Sequence, residues 1–432
     1  TINYCSFSSN NAPAGGGAIG INNSPSIYIN NSYFTNNSTN GQGGGIESNS
    51  ADVILTQTVF TKNTATNGGA VHIESNTTSS KIDRCSFTGN LTVNLGGAVC
   101  SHAHNLVTNS LFSGNKSIDG SAIHFSNNAS YNVSNCTIAG NNATTANTIA
   151  VDGGLLNIFS SIIYGNLAPN GIFRGGVNAS DNCIEGAVYP GGNINAAPLF
   201  KNSISALAAP NSDGDYRLDK CSPCINTGAL LSLMNGKNKD LDNYTRVGLG
   251  QIDMGAYEYT LASPDKNGII YVDSSKNGIG DSWANAVTEF ADALHTARFD
   301  TSVHEIWVAK GNYFPKYYAQ DGFSKTICIT TPNPPQYSFV LPKNVKIYGG
   351  FAGGENDLSL RNHSINKTIL NGNNETDYIT TDDAYNVVVS IGDVGTTELN
   401  GFEIINGKAI LPLVSETINS ITISRGKGGG IQ

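Results

Sequence analysis

The chain has 432 residues, of which only 13% are charged, with a net charge of −9, 39% hydrophobic residues and 49 glycines. That composition argues against disorder and, lacking any basic cluster, against nucleic acid as a partner. No apolar run approaches the ~18 residues needed to span a bilayer. The cysteines (Cys5, Cys85, Cys100, Cys136, Cys183, Cys221, Cys224 and Cys328) are too sparse for a disulfide framework. Cys221 and Cys224 form one C-x-x-C, but no second pair follows at zinc-ribbon spacing.

The chain repeats itself from its first residues. Phe7-Ser-Ser-Asn10, Phe34-Thr-Asn-Asn37, Phe60-Thr-Lys-Asn63, Phe87-Thr-Gly-Asn90 and Phe112-Ser-Gly-Asn115 share one pattern. Ile138-Ala-Gly-Asn141 and Ile163-Tyr-Gly-Asn166 continue it with the aromatic replaced. Successive Asn residues stand 27, 26, 27, 25, 26 and 25 residues apart. A small residue precedes each Phe or Ile by two: Cys5, Ser32, Thr58, Cys85, Ser110, Cys136 and Ser161. A second element keeps phase, in Gly16-Gly-Ala-Ile19, Gly43-Gly-Gly-Ile46, Gly68-Gly-Ala-Val71, Gly96-Gly-Ala-Val99 and Gly120-Ser-Ala-Ile123.

A fixed period of about 26 residues with short β-type runs and no helical stretch predicts an all-β solenoid. Its coils are those of a right-handed parallel β-helix, stacked at about 4.8 Å. The small residues and Phe or Ile point inward, and Gly pairs supply corners that need positive φ or close backbone approach. Asn tolerates the left-handed bend, and its amides can bond along the axis. Asn10, Asn37, Asn63, Asn90, Asn115, Asn141 and Asn166 are therefore expected to form a structural ladder.

Residues 1–166 carry the regular coils. Residues 167–259 read as irregular last coils, including Asn182-Cys183-Ile184 and Pro198-Leu199-Phe200, followed by a C-terminal cap over the open edge. Residues 260–267 read as a polar linker. Residues 268–432 read as the helix-capped beginning of a second β-helix. Its capping helix is expected near 285–297, with Val287, Phe290, Leu294 and Ala297 as one apolar stripe. Strands are expected at Ile269–Val272, Glu305–Ala309, Asn344–Tyr348, Thr368–Leu370, Tyr385–Ser390 and Gly401–Ile405. The last residues, Gly428-Gly-Gly-Ile431-Gln432, repeat the corner element, and Thr1–Phe7 is the strand that follows such a corner. Because the chain opens at Thr1, the expectation is a mature product or a fragment of something longer, with tandem modules or head-to-tail self-association joining such ends.

The paired elements resemble the repeats of chlamydial polymorphic outer-membrane proteins, which implies a β-helical passenger that acts as an adhesin. The stretches Ser222-Pro-Cys-Ile225, Ile252-Asp-Met-Gly-Ala-Tyr-Glu-Tyr259, Asp281-Ser-Trp-Ala-Asn285 and Ile347-Tyr-Gly-Gly-Phe351 look like large secreted surface proteins of Bacteroidota. That likeness implies export and a cell-surface place.

No catalytic cluster is expected. The carboxylates of residues 1–150 (Glu47, Asp52, Glu74, Asp83 and Asp119) fall at scattered phases of the repeat. One column, Gly20, Glu47, His72, Cys100, His124 and Ala150, holds zinc-ligand types. His72 and His124 stand two coils, about 9.6 Å, apart, which leaves variable surface residues as the plainer reading. Asp213 and Asp215, with Asp240 and Asp242, have the alternating oxygens of a Ca²⁺ loop, although turn chemistry explains them equally. Trp283 and Trp307 suit either a sugar platform or packing. The expected function is thus a non-enzymatic, secreted or cell-surface segment, without cofactor, that acts as adhesin or stalk on a glycan or surface ligand. The alternatives are a polysaccharide lyase or hydrolase with its site in the loops of 167–260 or beyond the chain's ends, and a structural filament module.

Overall fold

The repeat folds as coils of a parallel β-helix, and up to Ala143 the coils between corners are built from four short strands. In one coil these are Ile19–Ile21, Ser26–Asn30, Tyr33–Thr35 and Ser38–Thr39. Each pairs in parallel with its counterpart one coil on. The computed structural model describes residues 1–74, 80–103, 105–186, 190–230, 239–246, 251–320, 336–373, 383–409 and 415–431. Cys328 and Gln432 lie outside these. The chain divides into two units, Thr1–Tyr259 and Thr260–Gln432.

In the first unit the ladder that begins at Ser6–Ser8 runs through eight strands to Cys183–Ile184. Two other ladders, begun by Ile2–Asn3 and Ile19–Ile21, merge at Ile149–Phe159, one continuous strand that pairs with both. Bends follow from the sequence. Asn31, Gln57, Arg84, Asn109, Asn135 and Ser160 adopt φ between 47° and 53°, and the small residue after each is buried. In the corner at Gly43 the first glycine has a φ of 67°, and a Cβ on Gly44 would sit 2.2 Å from the Gly69 carbonyl oxygen. One glycine is needed for its angle and the next for its space.

Parallel register stacks like on like. The rings of Phe7, Phe34, Phe60, Phe87 and Phe112 follow one another at 4.7, 4.8, 4.9 and 4.8 Å. Ile138, Ile163 and Ile184 continue the column. Beside it, Asn10, Asn37, Asn63, Asn90, Asn115, Asn141 and Asn166 form an amide ladder. Each Nδ2 donates to the next Oδ1 at 2.8–3.0 Å. Asn63 shows the full pattern: its Nδ2 also donates to the Phe34 carbonyl, and its Oδ1 accepts both the backbone N–H and the amide of Asn37. With all these bonds made, the cost of taking the amide out of water is offset.

Residues 200–259 differ from the expected last coils and edge cover. Phe200–Asn202 pairs antiparallel with Asp215–Leu218, which turns the chain out of the solenoid. The segment then runs along the flank of the coils as an arm. Asn211 N–H donates to the Gly114 carbonyl, Ala256 N–H to Thr137 Oγ1 and Gly255 N–H to the Ser160 carbonyl. Arg246, fully buried, anchors it through Asn109 Oδ1 at 2.6 Å, Glu258 at 2.6 Å and the Gly255 carbonyl at 2.8 Å. Burial pushes the Asp253 carboxyl up to about 7 and Asp240 up to about 6, and lifts Glu258 well above its ordinary range, while Arg246 pulls all three down. Cys221 is disulfide-bonded, whereas Cys224 is free and buried in one cluster with Cys183.

Residues 260–267, expected as a polar linker, belong to the second unit and pack within it. Ser263 N–H donates to the Ile279 carbonyl, Asp265 N–H to that of Ile269, and Ala262 is buried. Ile269–Val272, Glu305–Ala309, Lys346–Phe351 and Glu398–Asn400 form a parallel sheet. Gly311–Tyr313, Thr368–Asn371 and Phe402–Ile405 form a second. The helix is Phe290–Phe299, later than the expected 285–297, because Val287 is held extended against Val272 by bonds to Tyr271 and Asp273. All four residues of its expected stripe are buried. Trp307 and the half-buried Trp283 pack with Tyr271 and Phe351. Among the described residues no helix is long and apolar enough to cross a membrane.

Two predictions follow from the packing. Asn63→Leu is expected to lower stability by about 1–3 kcal/mol in chemical denaturation, because it strands the Asn37 backbone N–H and amide and the Phe34 carbonyl. Asp253, held near 7 when folded against 3.8 when exposed, binds a proton that the unfolded chain releases. Its contribution is therefore best below about pH 4 and is lost as pH rises through 7. Relative to Asp253→Asn, the natural chain should lose roughly 2–4 kcal/mol between about pH 4 and pH 8, at about 1.4 kcal/mol per unit. Paired denaturation curves across that range read the difference, and a flat difference refutes it.

Candidate functional site

The column after each corner Ile or Val is built by the in-register strands Ile19–Ile21, Ile46–Ser48, Val71–Ile73, Val99–Ser101 and Ile123–Ser126. Their middle or second residues face away from the core, so Gly20, Glu47, His72, Cys100, His124 and Ala150 are successive partners. Arg174 follows Ala150 as a further member. The column is not the variable surface that strand alternation predicts. His72, Cys100 and His124 are only 1–2% exposed. The reason lies in the flanking side chains, which fold over them.

Two groups result. In the first, His72 Nε2 lies 3.5 Å and His102 Nδ1 3.4 Å from Glu74 Oε2. The two imidazole rings meet edge-on with centroids 5.6 Å apart. Main-chain bonds fix both bases, Glu74 N–H to the Ser48 carbonyl and His102 N–H to that of Ile73. Burial drives the His72 imidazole down to about 3, helped by His102 and His124, so it is neutral at physiological pH. Burial lifts Glu47, and Glu74 adds to this. In the second group the Arg174 guanidinium joins Asp119, Asp152 Oδ1 at 2.7 Å and His124 Nε2 at 3.1 Å. Cys100 stands between the groups, its thiol 4.0 Å from His124 Nδ1 and pushed up to about 12, first by burial and then by Glu74 and Asp152.

A groove opens on the outward face of the Phe-bearing ladder. It has a volume of about 370 Å³ and is lined by Tyr4, Asn31, Tyr33, Gln57, Val59 and Arg84, among others. Tyr4 is 81% and Tyr33 56% exposed.

Residues 57–74 match the Chlamydia polymorphic membrane protein repeat. The matched stretch holds Phe60, Asn63 and the corner Gly68-Gly-Ala-Val71, and it ends on His72 and Glu74. No match was found among curated proteins or solved structures. The likeness to chlamydial repeats rests on this one coil, whose pattern the neighbouring coils share.

The structure pairs His72 with Glu74 and His102, not with Cys100 and His124 as one set. Among the described residues, His72, Glu74 and His102 are the group whose ligand-type atoms all lie within 4.8 Å of one another. Glu74 and His102 could have been found by asking which side chains occupy the next outward position of each strand, two residues beyond His72 and Cys100. The acidic loops converge elsewhere. Asp215 and Asp242 both meet Arg217, at 3.1 Å and at 2.6 and 2.8 Å. Asp240 accepts the backbone N–H groups of Tyr244 and Glu258, and Asp213 sits in a turn closed by Asn211 Oδ1.

Arg174→Ala is expected to lower stability by about 1–2 kcal/mol, because Asp119 is almost fully buried and would lose its counter-charge. Thermal unfolding of the variant checks this, and an unchanged midpoint would show the pair to be neutral.

Proposed function

We propose that the chain is a surface-exposed, non-enzymatic segment of a secreted bacterial protein, whose solenoid wall binds glycan. The groove over Tyr4 and Tyr33 carries this reading. Two exposed tyrosine rings beside Asn31, Gln57 and Arg84 combine apolar faces for sugar rings with amide and guanidinium donors for hydroxyls. Its volume of about 370 Å³ suits a short saccharide rather than a large cofactor. The repeat shared with a family named for membrane proteins supports a place at the cell surface.

A glycan array probed with the full chain tests the proposal. Binding should fall at least tenfold in Tyr33→Ala, which is exposed and should keep the melting temperature unchanged. Pectin, alginate and host glycans incubated with the chain should yield no new reducing ends and no unsaturated products. Turnover would overturn the non-enzymatic reading, and binding unaffected by Tyr33→Ala would overturn the groove.

A further inference from the structure

We propose that His72, Glu74 and His102 form a binding site for a single zinc ion on the solenoid wall. Three observations converge on it. The first is spacing. Both imidazole nitrogens stand 3.4–3.5 Å from Glu74 Oε2, and neither makes a hydrogen bond to it at that distance. For Zn–N and Zn–O bonds of about 2.0–2.1 Å, two ligands of a tetrahedron lie about 3.3 Å apart. Two of the three pairs therefore already stand close to the separation that a shared ion would impose, and all three ligand atoms lie within 4.8 Å of one another.

The second is unsatisfied chemistry. His102 Nδ1, the atom that faces Glu74, is buried and has no hydrogen-bond partner. A buried ring nitrogen without a partner is costly, and the wall supplies none. The neighbouring His124 differs, for Asp152 and Arg174 both reach it. Arg174 is directed to Asp119, Asp152 and His124, and among the described residues no Lys or Arg pairs with Glu74.

The third is construction. The ligands come from two adjacent coils locked in register, His72 against Cys100 and Ile73 against Ser101, so the backbone sets their spacing. Two imidazoles and a carboxylate are the donor set of a zinc site that keeps one open position. The Glu74 side chain is half exposed, which gives the ion an entry path and places the open position toward solvent. Imidazole donors favour zinc over calcium, whose ligands are oxygens.

The test uses the full chain without a histidine tag, stripped with chelator and titrated with Zn²⁺ by calorimetry. One ion per chain is expected, with a rise in melting temperature, and excess Ca²⁺ should not compete. Glu74→Gln and His102→Asn change side chains that are partly exposed and should leave the fold intact. Each is expected to weaken Zn²⁺ binding at least tenfold, and the double variant to abolish it. Co²⁺ in place of Zn²⁺ should give the visible absorption of a tetrahedral site in the natural chain and lose it in the double variant. Absence of stoichiometric binding would overturn the proposal, as would zinc retained by a folded double variant.

Discussion

Each coil hydrogen-bonds to the next in parallel, in register, at a spacing of about 4.8 Å. Every side chain must therefore tolerate a near copy of itself directly above and below. Few residue types do. Phenylalanine stacks offset on itself, and asparagine both donates and accepts, so its amide can bond to another of its kind without a mismatch. A column of one charge would repel itself at each step, and residues 1–150 hold only five carboxylates, at scattered phases of the repeat. The mixed column shows the exception obeying the same rule: its one acid, Glu47, and its one arginine, Arg174, are kept apart by His72, Cys100, His124 and Ala150, and charged partners come from the side.

This constraint also decides what the sequence could reveal. A spacing of 25–27 residues from Asn10 to Asn166 is legible because one residue per coil meets one residue of the next. The Phe column and the Gly corners are legible for the same reason. The burial of His72 and His124 is not, since alternation along a strand says only which way a side chain leaves the backbone. Whether the space outside is filled depends on His102, Asp152 and Arg174, which reach in from other coils. The helix start illustrates a smaller failure. Val287 fits the apolar stripe, but a bridge to Val272 holds it extended, and the period of a helix cannot show that competing bond.

The arm over residues 200–259 is the least periodic part of the first unit and the hardest to read. Its anchors are single, long-range contacts. Arg246 meets Asn109 across 137 positions of sequence, and Ala256 meets Thr137 across 119. Nothing local marks either pair. Once formed, they draw a guanidinium and three carboxylates into a dry site, where burial outweighs attraction and holds the acids above their usual range.

The arm also alters the mechanics of the solenoid. Coils in a bare stack touch only their immediate neighbours, so a load applied along the axis can open any one gap by itself. Here the arm bonds to Arg84, Gly114, Thr137 and Ser160, each on a different coil. It acts as a splint. Parting two coils beneath it requires the arm to shear from one of them as well, so force is shared over several turns and the splinted stretch yields as a block.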